Sequence, residues 1–350
     1  MKTPKILVTG GTGYIGSHTV VSLMERGFEI ILIDNLSNSE RNVLKRIATI
    51  TGREPILHEI DMRDAGTLDY FFSKYRDLKA VVHFAALKAV GESVERPVYY
   101  YQNNLFSMLN LLRCMQKYQV PNLIFSSSAT VYGEPDSLPL EEHHPVKPAM
   151  SPYGNTKKIC EDIIKDTSRT NSWFNAISLR YFNPIGAHES GEIGELPKGV
   201  PNNLMPFITQ TAAGFRKELL VFGNDYSTPD GTAVRDYIHV VDLAEAHVKA
   251  LERLLQKHQE TNYEVFNLGT GNGYSVLEVI HSFEKTSGLK LPYRIVKRRA
   301  GDVEQTYAST KLANRKLGWK SKRDLDTMTS SAWQWEQRLR GKEIPEPAVK

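Results

Sequence analysis

The sequence is poor in cysteine, in long apolar runs and in excess charge of either sign. Its 350 residues include two cysteines, Cys114 and Cys160, which lack a Cys-x-x-Cys spacing and are too few for a disulfide scaffold. No run approaches the roughly 18 apolar residues of a membrane helix, and glycines interrupt the first apolar run, which excludes a signal peptide. The formal charge is +4 without a basic cluster, which argues against nucleic acid as a partner. These absences predict a soluble cytoplasmic protein with no membrane partner.

The first half of the chain alternates short β-branched runs with longer helical patterns. Such alternation predicts an α/β fold in which a parallel, doubly wound Rossmann-type sheet carries helices on both faces. The runs are apolar without alternation, as expected for strands that are covered on both sides. The predicted strands are residues 5–9, 29–33, 55–59, 80–84, 122–126, 175–178 and 264–268. The main predicted helices are residues 14–26, 97–118 and 152–170.

A change in amino-acid composition after residue 183 predicts a second region. Glycine and proline accumulate there, which is typical of a long irregular loop. We therefore expect a nucleotide-binding domain made of residues 1–182 and 236–270. A smaller α/β substrate-binding region would comprise residues 183–235 and 271–340, and residues 341–350 carry no pattern and would form a loose tail.

A glycine-rich loop follows the first predicted strand and opens the first helix. Gly10, Gly13 and Gly16 permit a tight turn and a close approach to a pyrophosphate, which the free N–H groups of the helix N-terminus would bind. Residues 269–273 form a second glycine run with similar flanks. The first run is the better candidate because it lies in the opening βαβ unit of the chain.

Asp34 directly follows the second predicted strand, 18 residues after Gly16. A carboxylate at this place accepts hydrogen bonds from the adenosine ribose of a dinucleotide. It would also repel a 2′-phosphate, and the nearest following arginine is Arg41, seven residues on. This arrangement predicts NAD rather than NADP as the cofactor.

A Tyr-x-x-x-Lys spacing occurs five times, and context selects Tyr153 and Lys157. This pair lies near the start of a predicted helix and downstream of a buried strand that ends in three serines, 126–128, at the edge where α/β sheets bind ligands. Lowering the pKa of a tyrosine from about 10 to neutrality needs ~4 kcal/mol. One lysine about 5 Å away supplies roughly 3 kcal/mol. Lysine together with the positive ring of NAD would therefore make Tyr153 a base.

The histidines do not predict a metal site. His143 and His144 form a loop pair with no third ligand at metal spacing. His239, Asp242 and His247 share one helical stretch, but that stretch does not match a His-Glu-x-x-His motif. We expect no metal.

A long ordered series of motifs resembles the extended short-chain dehydrogenase/reductase family, and within it the UDP-glucose (UDP-galactose) 4-epimerases. The resemblance spans residues 5 to about 319. The motifs are VTGGTGYIGSHT, IDNLSNS, FAALKAVGES, FSSSATVYG, SPYGNTK, LRYFNPIGAH, PNNLMPFI, VFGNDYSTPDGTAVRDYIHVVDLA and RRAGDVEQTYA.

The resemblance implies a role for each matching residue. The implied catalytic residues are Ser128, Tyr153 and Lys157. The implied NAD contacts are Gly10, Gly13, Tyr14, Ile15, Gly16, Asp34, Asn35, Asn38, Ser39, Asp61, Met62, Phe84, Ala85, Ala86, Lys88, Asn103, Ser126, Tyr153, Lys157 and Tyr181. The implied UDP-hexose contacts are Lys88, Ser128, Tyr153, Asn183, Asn202, Asn203, Leu204, Phe222, Arg235, Tyr237, Arg299, Asp302 and Thr306.

The resemblance also implies the reaction. C4 of the UDP-hexose would be oxidised by bound NAD, the 4-keto sugar would turn over, and the hydride would return to its other face. The family usually forms homodimers through two long helices of each subunit, here expected at residues 97–118 and 152–170. A small Thr306, where glucose- and galactose-restricted members often carry tyrosine, predicts that N-acetylated hexoses are also accepted.

Three other functions remain open at this stage. A sugar-nucleotide 4,6-dehydratase shares the fold and the Tyr-x-x-x-Lys pair but typically carries Asp-Glu after the serine or threonine, where this chain has Ala129 and Thr130. A UDP-glucuronate decarboxylase would need a basic contact for the sugar carboxylate, which we do not locate. A non-catalytic NAD sensor has no need of an intact Ser128, Tyr153 and Lys157.

Overall fold

The computed structural model describes residues 3–299 and 302–341 of the chain. The strands are β1 Lys5–Thr9, β2 Glu29–Asp34, β3 Ile56–Glu59, β4 Leu78–His83, β5 Asn122–Ser126, β6 Asn175–Tyr181, β7 Asn183–Ile185, β8 Leu219–Phe222, β9 Val234–Arg235, β10 Tyr237–His239, β11 Tyr263–Leu268, β12 Tyr274–Ser275, β13 Tyr293–Val296 and β14 Gln305–Thr306. The helices are α1 Tyr14–Glu25, α2 Val43–Thr51, α3 Ala65–Lys74, α4 Val90–Glu95, α5 Pro97–Tyr118, α6 Pro152–Thr170, α7 Leu204–Ala212, α8 Val240–Leu255, α9 Val276–Ser287, α10 Lys311–Lys316 and α11 Leu325–Arg340, with a 3₁₀ turn at Ala129–Tyr132.

Seven parallel strands form the central sheet in the order β11-β6-β5-β4-β1-β2-β3. This topology confirms the predicted α/β fold class. Strand β1 lies between β4 and β2, so the loops after these three strands are neighbours at the carboxyl edge of the sheet. That edge is where the predicted site residues come together.

Helices cover both faces of the sheet because the strand side chains are apolar on both sides. One face buries Ile6 and Val8 of β1 with Val20 of α1 and Leu243 of α8. The other face buries apolar residues of β1, β4 and β5 against α3, α5 and α6. The expectation of burial on both faces is wrong for β3, where Ile56 is 52% exposed, because β3 is the edge strand and lacks a neighbour on one side.

Strand β6 runs three residues beyond its predicted end at residue 178. The sequence hides this extension because a charged Arg180 interrupts the apolar run. In the fold Arg180 is buried and pairs with Glu161 of α6, with Nη2 2.6 Å from Oε2. The extension carries Tyr181 to the carboxyl edge of the sheet.

A smaller region packs beyond that edge. It contains the strand pairs β10-β7 and β13-β8 and the three-stranded sheet β12-β9-β14. Helices α7, α9 and α11 enclose a separate apolar core with Ile208, Phe283 and Trp333 among its members. The predicted loose tail falls outside the described residues except for Gly341. Within residues 3–299 and 302–341, no helix is long and apolar enough to cross a bilayer.

Candidate active site

The loop between β1 and α1 requires glycine at Gly10, and the first turn of α1 requires it at Gly16. Gly10 has a φ of +69°, and a Cβ built there would lie 2.7 Å from the main-chain nitrogen of Ala85. A Cβ on Gly16 would lie 2.2 Å from the carbonyl oxygen of Gly10. Helix α1 begins directly after Gly13. The chain therefore presents a helix N-terminus above a backbone surface without side chains, which is the geometry that accepts a pyrophosphate.

The second glycine run, residues 269–273, wraps around a side chain of the protein itself. The buried carboxylate of Asp236 accepts hydrogen bonds from the N–H groups of Thr270 at 2.7 Å and Gly271 at 3.1 Å. A Cβ on Gly269 would lie 2.3 Å from that carboxylate. The glycines of this run thus give access to an internal anion.

Asp34 ends β2 beside the first glycine loop. Its carboxylate accepts hydrogen bonds from the main-chain N–H groups of Thr12 at 3.2 Å and Leu36 at 2.9 Å. Arg41 is held by Glu59, with 3.0 Å between the charged atoms. An acid therefore occupies the end of β2, and the arginine that follows it in the sequence is already paired.

Helix α6 places Tyr153 and Lys157 on one face. The helix begins at Pro152, and the Ser151 side chain caps it by accepting a hydrogen bond from the N–H of Gly154 at 3.2 Å. Both Tyr153 and Lys157 are buried, one turn apart. The Lys157 Nζ lies 5.9 Å from the centre of the Tyr153 ring.

The end of β5 meets this helix face. Lys157 Nζ donates a hydrogen bond to the carbonyl oxygen of Ser126 at 2.7 Å. The hydroxyl groups of Ser126 and Tyr181 are hydrogen-bonded to each other. The Ser128 hydroxyl lies within hydrogen-bonding reach of Tyr153 and accepts from Thr130 Oγ1 at 3.0 Å. The serine that was singled out in the sequence therefore lies next to the tyrosine and lysine.

Burial dominates the electrostatics of this group. It raises the pKa of Tyr153 to about 12, and the hydrogen bond with Ser128 opposes the rise. Burial lowers the pKa of Lys157 to about 8, and the nearby Cys160 and Glu161 oppose the fall. To act as a base near neutrality, Tyr153 must therefore have its pKa lowered by more than the ordinary tyrosine value suggests. Lys157 alone supplies roughly 3 kcal/mol, or about 2 pH units, at this separation.

One cavity of about 430 Å³ unites the glycine loop with the Tyr153 group. All predicted cofactor contacts line it: Gly10, Gly13, Tyr14, Ile15, Gly16, Asp34, Asn35, Asn38, Ser39, Asp61, Met62, Phe84, Ala85, Ala86, Lys88, Asn103, Ser126, Tyr153, Lys157 and Tyr181. Of the predicted substrate contacts, Lys88, Ser128, Tyr153, Asn183, Asn202 and Asn203 also line it. The other seven do not: Leu204, Phe222, Arg235, Tyr237, Arg299, Asp302 and Thr306.

Four of these seven residues form a charged cluster of their own. Arg235 Nη2 lies 2.6 Å from one oxygen of Asp302, and Arg299 Nη2 lies 3.5 Å from the other. The Arg299 guanidinium stands over the ring of Phe222 at 5.6 Å. Two arginines, an acid and a flat aromatic surface are thus in contact.

Short strands connect this cluster with the cavity. Tyr237 of β10 pairs with Asn183 of β7, which lines the cavity. Thr306 of β14 pairs with Arg235 of β9. Leu204 begins α7, immediately after Asn203. Leu204 and Tyr237 therefore lie on elements that continue from the cavity wall, and Thr306 is joined to Arg235 of the charged cluster.

Sequence reasoning missed Asn104. This buried residue of α5 accepts a hydrogen bond from the N–H of Leu87 at 2.9 Å and donates to the carbonyl of Leu87 at 3.0 Å. It also donates to Thr156 Oγ1 at 2.9 Å, between Tyr153 and Lys157 on α6. It thereby ties the loop after β4 to the helix of the tyrosine. The sign of this role in the sequence is an amide side chain within the apolar face of α5.

Sequence reasoning also missed the acid behind the site. Glu161 lies one turn after Lys157 on α6, and its buried carboxylate accepts from Ser127 Oγ at 2.5 Å and from Arg180 Nη2 at 2.6 Å. This carboxylate therefore joins α6 to β6 and to the residue that directly follows β5. The spacing Tyr153, Lys157, Glu161 was visible in the sequence, but the partner strand was not.

The histidines that were considered as metal ligands have other partners. His239 Nδ1 accepts from a main-chain N–H at 3.1 Å, and the Asp242 carboxylate accepts from two main-chain N–H groups at 2.9 Å each. The side chain of His143 is 75% exposed beside Glu141. Across the described part of the chain, no three His, Cys, Asp or Glu side chains are grouped to hold a metal.

Comparison with known proteins identifies the family. A family model described as GDP-mannose 4,6 dehydratase matches residues 7–332. The UDP-glucose 4-epimerase of Bacillus subtilis (strain 168) is 52% identical over 331 residues, which cover 95% of this chain and 96% of that protein. The chain belongs to the UDP-glucose 4-epimerase family. The extended short-chain dehydrogenase/reductases are the wider group in which these epimerases stand, and the predicted resemblance is confirmed.

Solved structures of UDP-glucose 4-epimerases show the same fold. One from Stenotrophomonas maltophila, with bound NAD and formylated UDP-arabinopyranose, has a TM-score of 0.92 and 47% identity, covering 96% of this chain and 98% of that chain. The UDP-Glc/GlcNAc 4-epimerase of Campylobacter jejuni has a TM-score of 0.81 and 38% identity, covering 96% and 99%.

Proposed function

We propose that this protein is an NAD-dependent UDP-glucose 4-epimerase that interconverts UDP-glucose and UDP-galactose through a transient 4-keto sugar. The observation that carries the proposal is the single cavity in which the glycine loop meets Ser128, Tyr153 and Lys157. A dinucleotide cradle and an acid–base group in one cavity suit a hydride transfer coupled to a proton transfer. The Bacillus subtilis and Stenotrophomonas maltophila proteins, which match this chain over nearly its whole length, are UDP-glucose 4-epimerases.

The residues present fit NAD. A Cβ at Gly10 or Gly16 would fill the cradle, and Asp34 stands at the end of β2 where ribose hydroxyls would reach it. When bound, NAD supplies the acceptor and later the donor of the C4 hydride. Because Asp34 would repel a 2′-phosphate and Arg41 is paired with Glu59, the site favours NAD over NADP.

Tyr153 is the residue that moves the proton of the sugar O4. Its hydroxyl is buried next to Ser128, which can hold O4 or relay the proton. Lys157 supplies a positive charge that favours the phenolate form of Tyr153. The charge of Lys157 lowers the pKa of Tyr153 by only part of the amount that is needed. The positive charge of the oxidised cofactor would supply the rest.

The charged cluster would hold the UDP part of the substrate while the sugar turns. Arg235 and Arg299 can bind a diphosphate with forked hydrogen bonds, and Asp302 can accept from ribose hydroxyls. Phe222 offers a flat surface for the base. Anchoring of UDP away from Tyr153 would leave the hexose free to present either face.

The 4,6-dehydratase alternative lacks its acid–base pair here. Ala129 and Thr130 follow Ser128 and begin the 3₁₀ turn, and neither can act as a carboxylic acid. The family model that matches bears a dehydratase description, but it covers the fold that both enzyme classes share. We also propose that Thr306 leaves room for an N-acetyl group, so that UDP-N-acetylhexosamines are substrates.

We further propose a homodimer. Val94 of α4 and Val98, Phe106 and Leu109 of α5 are between 47% and 76% exposed. Their apolar surface lies on the helix that the family resemblance assigns to the subunit interface, so a second copy of the chain is the expected partner. The cytoplasmic location stays a prediction from the low cysteine content, and both cysteines are free and buried.

The division into a nucleotide-binding domain and a substrate-binding region is also part of the proposal. Residues 1–182 with 236–270 would bind NAD, and residues 183–235 with 271–340 would bind the UDP-sugar.

The direct test is incubation of the purified protein with UDP-galactose and no added NAD. We expect UDP-glucose to accumulate until equilibrium is reached. A Tyr153→Phe variant prepared in parallel controls for contaminating epimerase. Formation of a dehydrated or decarboxylated sugar nucleotide, or no product at all, would contradict the proposed function.

A further inference from the structure

Residues 193–198, hereafter the strap, cross from the substrate side of the cavity to the cofactor side. All six residues line the cavity together with the glycine loop. At one end Glu195 Oε1 lies 3.2 Å from Lys88 Nζ. At the other end Lys198 Nζ donates to the carbonyl oxygens of Leu36 at 2.8 Å and Ser37 at 3.2 Å.

The order of the strands shows what lies beneath the strap. Lys88 follows β4, and Leu36 follows β2. Strand β1 lies between β4 and β2 in the sheet, so the loop after β1, residues 10–13, and the start of α1 lie between the two attachment points. The strap therefore crosses the loop that is shaped for a pyrophosphate.

The middle of the strap rests on helix α11. A Cβ at Gly194 would lie 2.4 Å from the Trp335 ring, so the backbone of the strap lies flat against the indole. Trp335 Nε1 donates to the carbonyl oxygen of Glu195 at 3.0 Å. The Arg46 guanidinium packs over the indole at 4.9 Å. The strap thus has a rigid support between its two attachments.

We propose that the strap retains the cofactor, with Glu195 and Lys198 as the positioning residues that fasten it. This inference rests on the proposed function, which places NAD in the cradle of residues 10–16. A dinucleotide under the strap leaves only when the Lys198 or Glu195 attachment opens. Glu195 Oε1 also accepts from Asn203 Nδ2 at 2.6 Å, so the attachment on Lys88 is shared with a residue of the predicted substrate site.

The test measures release of the cofactor separately from turnover. Protein purified with its nucleotide is mixed with a large excess of fluorescent etheno-NAD, and exchange is followed over time. Lys198→Met removes the donor and keeps the length of the side chain, so we expect exchange to be about tenfold to a hundredfold faster. Lys198→Arg keeps the donors and should restore slow exchange. Lys217→Met, at an exposed lysine away from the cavity, is the matched control and should exchange at the native rate.

A second variant keeps the inference testable if Lys198→Met folds poorly. Glu195→Gln can still accept from Asn203 but loses the charge that pairs with Lys88, and we expect it also to speed exchange. Native exchange rates in both Lys198→Met and Glu195→Gln would overturn the strap proposal. A native protein that carries no dinucleotide would contradict the proposed function instead.

Discussion

The Nζ of Lys157 is held by the main-chain carbonyl oxygen of Ser126 at 2.7 Å, and this bond fixes where its charge acts. The same ammonium lies 5.9 Å from the centre of the Tyr153 ring. The nearest carboxylate on α6, that of Glu161, is engaged by Ser127 and Arg180. Lys157 is therefore not ion-paired with Glu161, and its positive charge acts on Tyr153.

Replacement of Tyr153 by phenylalanine tests its role as the base. The ring and its packing remain, so NAD and the UDP-sugar should still bind, whereas kcat should fall by about 10²–10⁴-fold because a typical acid–base contribution is lost. Steady-state kinetics and nucleotide content are the measurements. Tyr70→Phe is a matched control, because Tyr70 belongs to a Tyr-x-x-x-Lys pair on an exposed helix face. A fall in kcat of less than about tenfold would assign the proton to another group.

Lys157→Met should change the pH profile of kcat as well as its maximum. The positive charge favours the phenolate, so its loss should raise the pKa of Tyr153 and move the acid limb up by roughly 2 pH units. In the native protein burial lowers the pKa of Lys157 to about 8. Its charge is present below that pH and is lost above it, so native kcat should decline on the alkaline side. A variant whose acid limb stays in place would contradict this role.

The nucleotide carried by the purified protein tests Asp34. Denaturation followed by chromatography of the released nucleotide should show NAD. Asp34→Asn removes the negative charge and should narrow the preference for NAD over NADP, measured as competition between the two for the emptied site. A native protein that releases mainly the 2′-phosphorylated form would refute the argument from Asp34.

Thr306→Tyr tests the choice of sugar. The native protein should convert both UDP-N-acetylglucosamine and UDP-glucose, and the variant should lose mainly the first because a ring occupies the space of the acetamido group. The neighbouring Tyr307 lies just after β14, and its ring packs towards Gly273. Tyr307→Phe is therefore the control. Equal handling of both sugars before and after the change would refute the steric argument.

A charge on helix α5 tests the proposed dimer. Phe106 and Leu109 are 48% and 47% exposed, and aspartate at either position would introduce a charge into an apolar subunit interface. Sedimentation should show a dimer for the native protein and a shift towards monomer for Phe106→Asp or Leu109→Asp. Leu220→Asp, at an exposed residue of β8, should remain dimeric. A native monomer would contradict the proposal.

The sequence predicts the parts of the fold that depend on local pattern. Helices α5 and α6 have the predicted bounds, since each begins at a proline and keeps a periodic apolar face. The strand that ends at Tyr181 is longer than predicted because Arg180 reads as polar in the sequence, whereas in the fold it pairs with Asn267 of β11 through the backbone and its side chain is buried against Glu161 of α6. Burial produced by tertiary pairing is not visible in a local window.

The candidate site shows the same limit. The glycine loop, Asp34 and the Tyr153 pair are recognisable because their spacing itself carries the chemistry. Asn104, Glu195 and Lys198 are not, because each acts on a residue far away in the chain, such as Lys198 on Leu36. The wrapping of the second glycine run around Asp236 likewise depends on a contact across more than thirty residues.

The central claim is that C4 of the sugar loses and regains the same hydrogen within one cavity. UDP-galactose that carries deuterium at C4 tests it most directly, in ordinary water and without added nucleotide. We expect UDP-glucose that retains deuterium at C4, because the hydride returns to the carbon that released it. UDP-glucose in which C4 carries hydrogen from solvent would contradict return of the hydride from the bound cofactor.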